Sequence, residues 1–215
     1  MTKNALFFWI PKTAGTSIHE TIRTLTPMPK LKLPEQWPKF CNQGLVTFAH
    51  VSVNQLRAKN YILDDFYYSA FKFTFVRNPF DRAVSLYHYL IKDKIVRKGT
   101  PFKKFLKMVK KGVPPIGLYN VKGMSQANPQ HCWLPEYYDN VTGSMDYIGR
   151  FENLQQDFNE VLRTLGLPET EILKKRVSKG RDKTVKYYND ETADLVRQIY
   201  KMDFVLYGYD MEESK

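Results

Sequence analysis

Lys12-Thr13-Ala14-Gly15-Thr16-Ser17 places a cation, small residues and hydroxyls directly after the apolar stretch Ala5 to Pro11. Those are the parts of an oxyanion site at a helix start. Small side chains let backbone N–H groups approach an anion, the helix dipole adds a favourable field, and an ammonium brings a mobile point charge. Thr16 and Ser17 add hydroxyl donors. The order is not that of a Walker loop, because Lys12 comes three residues before Gly15 instead of directly after a glycine. A plain turn and cap reads the same residues without a ligand.

A second set follows at Val76-Arg77-Asn78-Pro79-Phe80-Asp81-Arg82-Ala83-Val84-Ser85-Leu86-Tyr87. The planar fork of Arg77 can take a phosphate bidentately, and Ser85, two turns into the next helix, offers a hydroxyl to the same anion. The competing reading pairs Arg77 with Asp81 and leaves Ser85 as an ordinary helix residue. Two anion-suited turns in one sheet point to a ligand with two separated anionic groups.

The elements that must position these residues alternate along the chain. Ala5 to Ile10 is an apolar run of the kind buried on both faces of a parallel sheet, and Ile18, Ile22 and Leu25 give the next segment helical spacing. Leu45 to His50, Ala70 to Val76 and Asp146 to Phe151 are further candidate strands. Pro79, comfortable in a first helical turn, starts a helix reaching about Ile91. Leu154 to Leu165 and Asp190 to Met202 read as amphipathic helices, the latter followed by an aromatic tail, Phe204 to Tyr209. Residues 26 to 43 read as a loop, 92 to 111 as a basic, weakly helical stretch, and 112 to 144 as a loop-rich region that shapes an acceptor cleft. The alternation predicts an α/β three-layer sandwich around a central parallel sheet, with residues 1–215 as one domain.

Composition bounds the function. A formal charge of +11, from 33 Lys and Arg against 22 Asp and Glu, favours anionic partners without choosing among nucleotides, acidic glycans, nucleic acid and acidic membranes. An apolar fraction of 43% excludes a disordered chain. The N-terminal apolar run is too short for a membrane span or a signal segment, so a soluble, cytoplasmic protein is expected. Cys41 and Cys132 lack metal-ligand spacing and fit a reducing compartment, with a single bridge left open. No metal-ligand cluster is seen, and the sequon at Asn140 reads as a chance match.

Taken together, Pro11 to Ser17 resembles the 5′-phosphosulfate loop of carbohydrate-type sulfotransferases that use 3′-phosphoadenosine 5′-phosphosulfate (PAPS). Arg77 to Arg82 with Ser85 and Tyr87 resembles their 3′-phosphate motif, while Tyr147 to Leu154 and Tyr200 to Tyr209 are similar to two later stretches. The matches are collinear and span nearly the whole chain. The resemblance implies a P-loop-NTPase-like sulfotransferase fold, PAPS as co-substrate and adenosine 3′,5′-bisphosphate as product. It implies Lys12 at the sulfuryl group and the bridging oxygen, with Thr13, Ala14, Gly15, Thr16 and Ser17 around the 5′-phosphate. Arg77 and Ser85 take the 3′-phosphate, and Lys179 and Arg181 lie in a basic loop that closes over the nucleotide.

His50 resembles a histidine of the uronyl 2-O-sulfotransferases, whose motif has a second histidine where this chain carries Phe48. It is the candidate base, with Glu20 as runner-up; His131 is expected to contact the acceptor, and His19 and His88 are expected to be structural. The acceptor implied is a hydroxyl or amine on an acidic saccharide or a small molecule. A P-loop-type small-molecule kinase and a non-catalytic polyanion-binding module are the competing readings. The first is disfavoured by the missing Walker order, and the second has no need for two phosphate turns.

Overall fold

The computed structural model describes residues 3–31, 34–51, 56–112, 125–134, 145–173 and 184–212. The chain forms two compact units: Met1–Val76 with Cys132–Arg176, and Arg77–His131 with Val177–Lys215.

The first unit is built on a parallel sheet. Its strands are β1 (Ala5–Phe8), β2 (Leu45–Thr47), β3 (Phe71–Val76) and β4 (Tyr147–Arg150), in the order β2-β1-β3-β4. All three pairings are parallel, so β1 and β3 lie side by side in the centre. Their residues are buried on both faces, which is why they read as continuous apolar runs rather than alternating ones. Ala5, Phe7, Phe71, Phe73 and Phe75 pack in one cluster with Ile18 and Ile22 of α1 (Gly15–Leu25) and with Phe158, Val161 and Leu162 of α5 (Leu154–Thr164). On the opposite side of the pleat Thr74 donates its hydroxyl to the backbone oxygen of Phe8, while Thr47, level with Phe7 in the register, donates its own to the backbone oxygen of Phe7. Lys72, 7% exposed, turns its ammonium onto the carbonyls of Tyr67 and Ala70. Tyr67 belongs to α2 (Asp64–Ser69), a short helix that the sequence reading did not contain.

The second unit is helical among its described residues: α3 (Pro79–Lys92), α4 (Phe102–Lys110) and α6 (Asp190–Tyr207). Ala83, Leu86 and Leu90 of α3, Phe102, Phe105 and Leu106 of α4, and Val196, Tyr200 and Phe204 of α6 make one core. α6 starts on a reciprocal Asn189–Thr192 capping box and ends at Gly208, whose left-handed φ of 61° lets Tyr209 N–H reach the carbonyl of Phe204.

Some boundaries differ from those expected. Helical structure in α6 reaches Tyr207 instead of stopping at Met202, across a kink at Tyr200, whose φ of −115° and ψ of 23° are not helical, and Tyr200, Phe204 and Tyr207 extend its buried stripe. The stretch expected as an aromatic tail is therefore mostly helix. β1 ends at Phe8 and β2 at Thr47, so Trp9, Ile10 and His50 lie beyond the paired strands. Residues 34–39 of the expected loop form a 3₁₀ turn. A sheet flanked by helices with all-parallel pairing matches the predicted α/β class.

The packing predicts where stability resides. Phe158→Ala, at a side chain with no exposure, should lower the unfolding free energy by about 3–5 kcal/mol in urea titrations. Ile148→Ala, at a side chain 37% exposed, should cost under about 1 kcal/mol.

Candidate functional site

The loop from Trp9 to Ala14 joins β1 to α1 and is shaped by its backbone. Lys12 and Ala14 both take left-handed conformations, with φ of 71° and 68°. Each costs a non-glycine residue about 1–2 kcal/mol, so the surrounding structure must impose them. The Thr13 hydroxyl, fully buried, ties the turn by donating to the carbonyl of Ile10 at 3.0 Å. Left-handed residues at this spacing are the backbone state in which N–H groups line an anion-binding concavity.

Helix α1 then begins without the usual cap. Ala14 holds the cap position and makes no side-chain cap bond, and the first turn carries no acidic residue. By contrast, Asn78 caps α3 through Phe80 N–H at 2.9 Å, and α6 has both a capping box and two acids in its first turn. The first N–H groups of a helix want an acceptor, and α1 offers its own beside Lys12, Thr16 and Ser17. Gly15 is required here by contact rather than by φ: a Cβ at this position would overlap the indole of Trp9. Ser17 is buried, at 7% exposure.

Trp9 also orders what surrounds it. Its ring lies 5.6 Å from His19 and 5.5 Å from His50, and the Lys30 ammonium sits 4.0 Å from its centroid. His50 occupies a turn closed by Val51 N–H on the carbonyl of Phe48, with a φ of 63°. Its ring meets both Trp9 and Trp133 edge-on. Phe48 is a core residue packed on Phe40. His19 bonds the carbonyl of Met28 and approaches Glu20, whose other oxygen faces Arg23. Burial holds the His19 imidazole below its ordinary pKa, in keeping with a structural role.

In the second unit, Arg77 follows the last residue of β3 and is 1% exposed. Its guanidinium reaches Asp81 at 3.6 Å, the pairing weighed against anion binding from the sequence. Ser85 is 6% exposed on α3. His88 approaches Tyr187 OH at 2.8 Å, and burial followed by the Lys186 charge lowers its pKa.

Sequence reasoning missed the residues that hold this turn. Gln130 bonds both backbone groups of Arg77, and the buried carboxylate of Asp203 receives the N–H groups of Gln130 and His131. His131 also turns its Nδ1 to Asp203 at 2.8 Å, so the residue expected to touch an acceptor is itself anchored. The available signal was an acid inside the apolar stripe of Tyr200, Phe204 and Tyr207. Lys179 and Arg181 lie outside the described residues. No disulfide joins Cys41 and Cys132. Among the described residues no helix is long and apolar enough to cross a membrane, and no His, Cys, Asp and Glu group could hold a metal ion.

Two predictions follow from this geometry. Gly15→Ala should destabilise the protein by about 1–3 kcal/mol through overlap with Trp9, read as a lower denaturation midpoint. His19 and His88 have folded-state pKa values below the unfolded value, so the unfolded chain binds more protons as pH falls below about 6.5. Stability should therefore fall on acidification from neutrality through that range, and His19→Gln should flatten the dependence. An unchanged slope in that variant would remove His19 as its source.

The sequence matches the Sulfotransferase family over residues 2–210. Carbohydrate sulfotransferase 11 of Rattus norvegicus and of Mus musculus are each 24% identical to the chain over 238 residues, covering 95% of it. The chain spans 64% of the length of these relatives. The crystal structure of a sulfotransferase from Alicyclobacillus acidocaldarius shares the fold, with a TM-score of 0.61 at 14% identity over 100% of this chain and 99% of that one. By its match along residues 2–210, the chain belongs to the Sulfotransferase family.

Proposed function

We propose that this chain transfers a sulfuryl group from PAPS to a hydroxyl or amine acceptor. The observation that carries the reading is the uncapped, acid-free N-terminus of α1, entered through two left-handed residues and flanked by Lys12. Such a terminus suits the 5′-phosphosulfate: the backbone of Thr13 to Thr16 and the hydroxyls of Thr16 and Ser17 hold the phosphate. Arg77 and Ser85 take the 3′-phosphate, the group that separates PAPS from ATP, and Lys179 and Arg181 are assigned to the same nucleotide from sequence alone.

Sulfuryl transfer has the character of phosphoryl transfer, with in-line attack and a loose transition state. The bond from sulfur to the bridging oxygen breaks as the acceptor oxygen or nitrogen bonds sulfur, leaving adenosine 3′,5′-bisphosphate. Negative charge grows on the leaving phosphate, and Lys12 meets it there. A contact that strengthens as charge develops lowers the barrier rather than merely tightening binding. With Lys12 supplying that charge, the step as written calls on no metal ion. The acceptor's proton goes to His50, whose ring meets the indoles of Trp9 and Trp133 edge-on. His131 and Glu20 are assigned to the acceptor, and the names of the curated relatives favour a saccharide, for which the net charge of +11 suits an acidic one.

Incubation with ³⁵S-labelled PAPS and a panel of acidic saccharides and small alcohols tests the reading. Transfer to an acceptor is expected, with a loss of at least about 100-fold in Lys12→Ala while the circular dichroism spectrum is kept. A comparable fall of about 100-fold or more is expected in His50→Ala. Full turnover in Lys12→Ala would overturn the proposed chemistry, and near-normal turnover in His50→Ala would reassign the base.

A further inference from the structure

The 3′-phosphate assignment leaves open what aims Arg77. A guanidinium on a flexible stem binds a phosphate selectively only if its base is fixed, and the second unit contains a device that fixes it. The side-chain amide of Gln130 accepts from Arg77 N–H at 2.9 Å and donates to Arg77 C=O at 2.9 Å. One side chain thus engages both polar groups of one residue, as a neighbouring strand would, and restrains the φ and ψ that set the direction of the Arg77 side chain. Gln130 has no exposed surface, and neither does Asp203.

Asp203 in turn fixes Gln130. Its carboxylate accepts Gln130 N–H at 2.7 Å and His131 N–H at 3.1 Å, with His131 Nδ1 at 2.8 Å. A buried carboxylate persists where several donors meet it, and these three converge on the segment that carries Gln130. We infer that Gln130 is a positioning residue for 3′-phosphate recognition, clamping the backbone of Arg77 from a seat provided by buried Asp203. The inference rests on the reading of Arg77 as the 3′-phosphate ligand.

A purely structural role for the segment is the competing account, and the fold supplies its control. Tyr200 OH donates to the carbonyl of Ala127 at 3.1 Å, tethering the same loop without touching Arg77. Calorimetric titration with adenosine 3′,5′-bisphosphate and with adenosine 5′-monophosphate should be run on the wild type, Gln130→Met, Asp203→Asn and Tyr200→Phe. Methionine keeps the length of glutamine and removes both bonds.

The expected result is a bisphosphate affinity about tenfold weaker in Gln130→Met, with monophosphate affinity within about twofold, as loss of charge-directed hydrogen bonding would give. Asp203→Asn should shift the ratio in the same direction. Tyr200→Phe should lower thermal stability and leave the ratio intact. Equal weakening of both nucleotides in a folded Gln130→Met, an unchanged ratio there, or an equal collapse in Tyr200→Phe would each overturn the inference. If Asp203→Asn does not fold, Gln130→Met alone decides. If the wild type shows no preference for the bisphosphate, the assignment of Arg77 fails first and this inference falls with it.

Discussion

A charge taken out of water must be met by opposite charge or by several hydrogen bonds, and the second unit is arranged around that requirement. Arg77, Arg82 and Asp203 are each at most 1% exposed. Arg82 donates from Nη2 to the carbonyls of Gln126 and Asn128 while its guanidinium lies 5.6 Å from the ring centroid of Tyr200. Asp203 takes the amides of Gln130 and His131. The loop between them therefore has its polar groups claimed from two sides, and through Gln130 it holds the backbone of Arg77. Removing any one member leaves a buried partner unmatched, which costs more than the bond itself contributes.

The first unit reaches a comparable end by different means. Its β1–α1 loop takes its shape from two left-handed residues, a buried threonine hydroxyl and the face of Trp9. The indole excludes every side chain at position 15 and packs on His50, so the helix entry and the candidate base share one rigid neighbour. Strain of this kind persists only where packing over-determines it, and it concentrates at functional sites.

How much of this was legible in the sequence depended on the range of the interactions. Ala5 to Phe8 and Phe71 to Val76 announce themselves because strands buried on both faces need unbroken apolar runs. Pro79 marks the start of α3 because its missing N–H is harmless there. The candidate phosphate loop was readable from Lys12, Gly15 and Thr16 as residue types, whereas its left-handed turns at Lys12 and Ala14 were not. Neither residue advertises that conformation, and it follows from tertiary packing. The Gln130–Asp203 bond joins positions 73 residues apart, and nothing local in either segment reveals it. His50 was read as a strand end, but β2 stops at Thr47 because the chain turns at Phe48.

The claim at the centre of this account is that Arg77 supplies recognition of the 3′-phosphate. Dissociation constants for adenosine 3′,5′-bisphosphate and adenosine 5′-monophosphate, measured on the wild type and on Arg77→Ala, test it most directly. The account predicts a wild type that prefers the bisphosphate by at least about tenfold, as a charge-assisted phosphate contact would give, and a variant in which the two constants coincide while the monophosphate value is unchanged. A preference that survives in Arg77→Ala would contradict it.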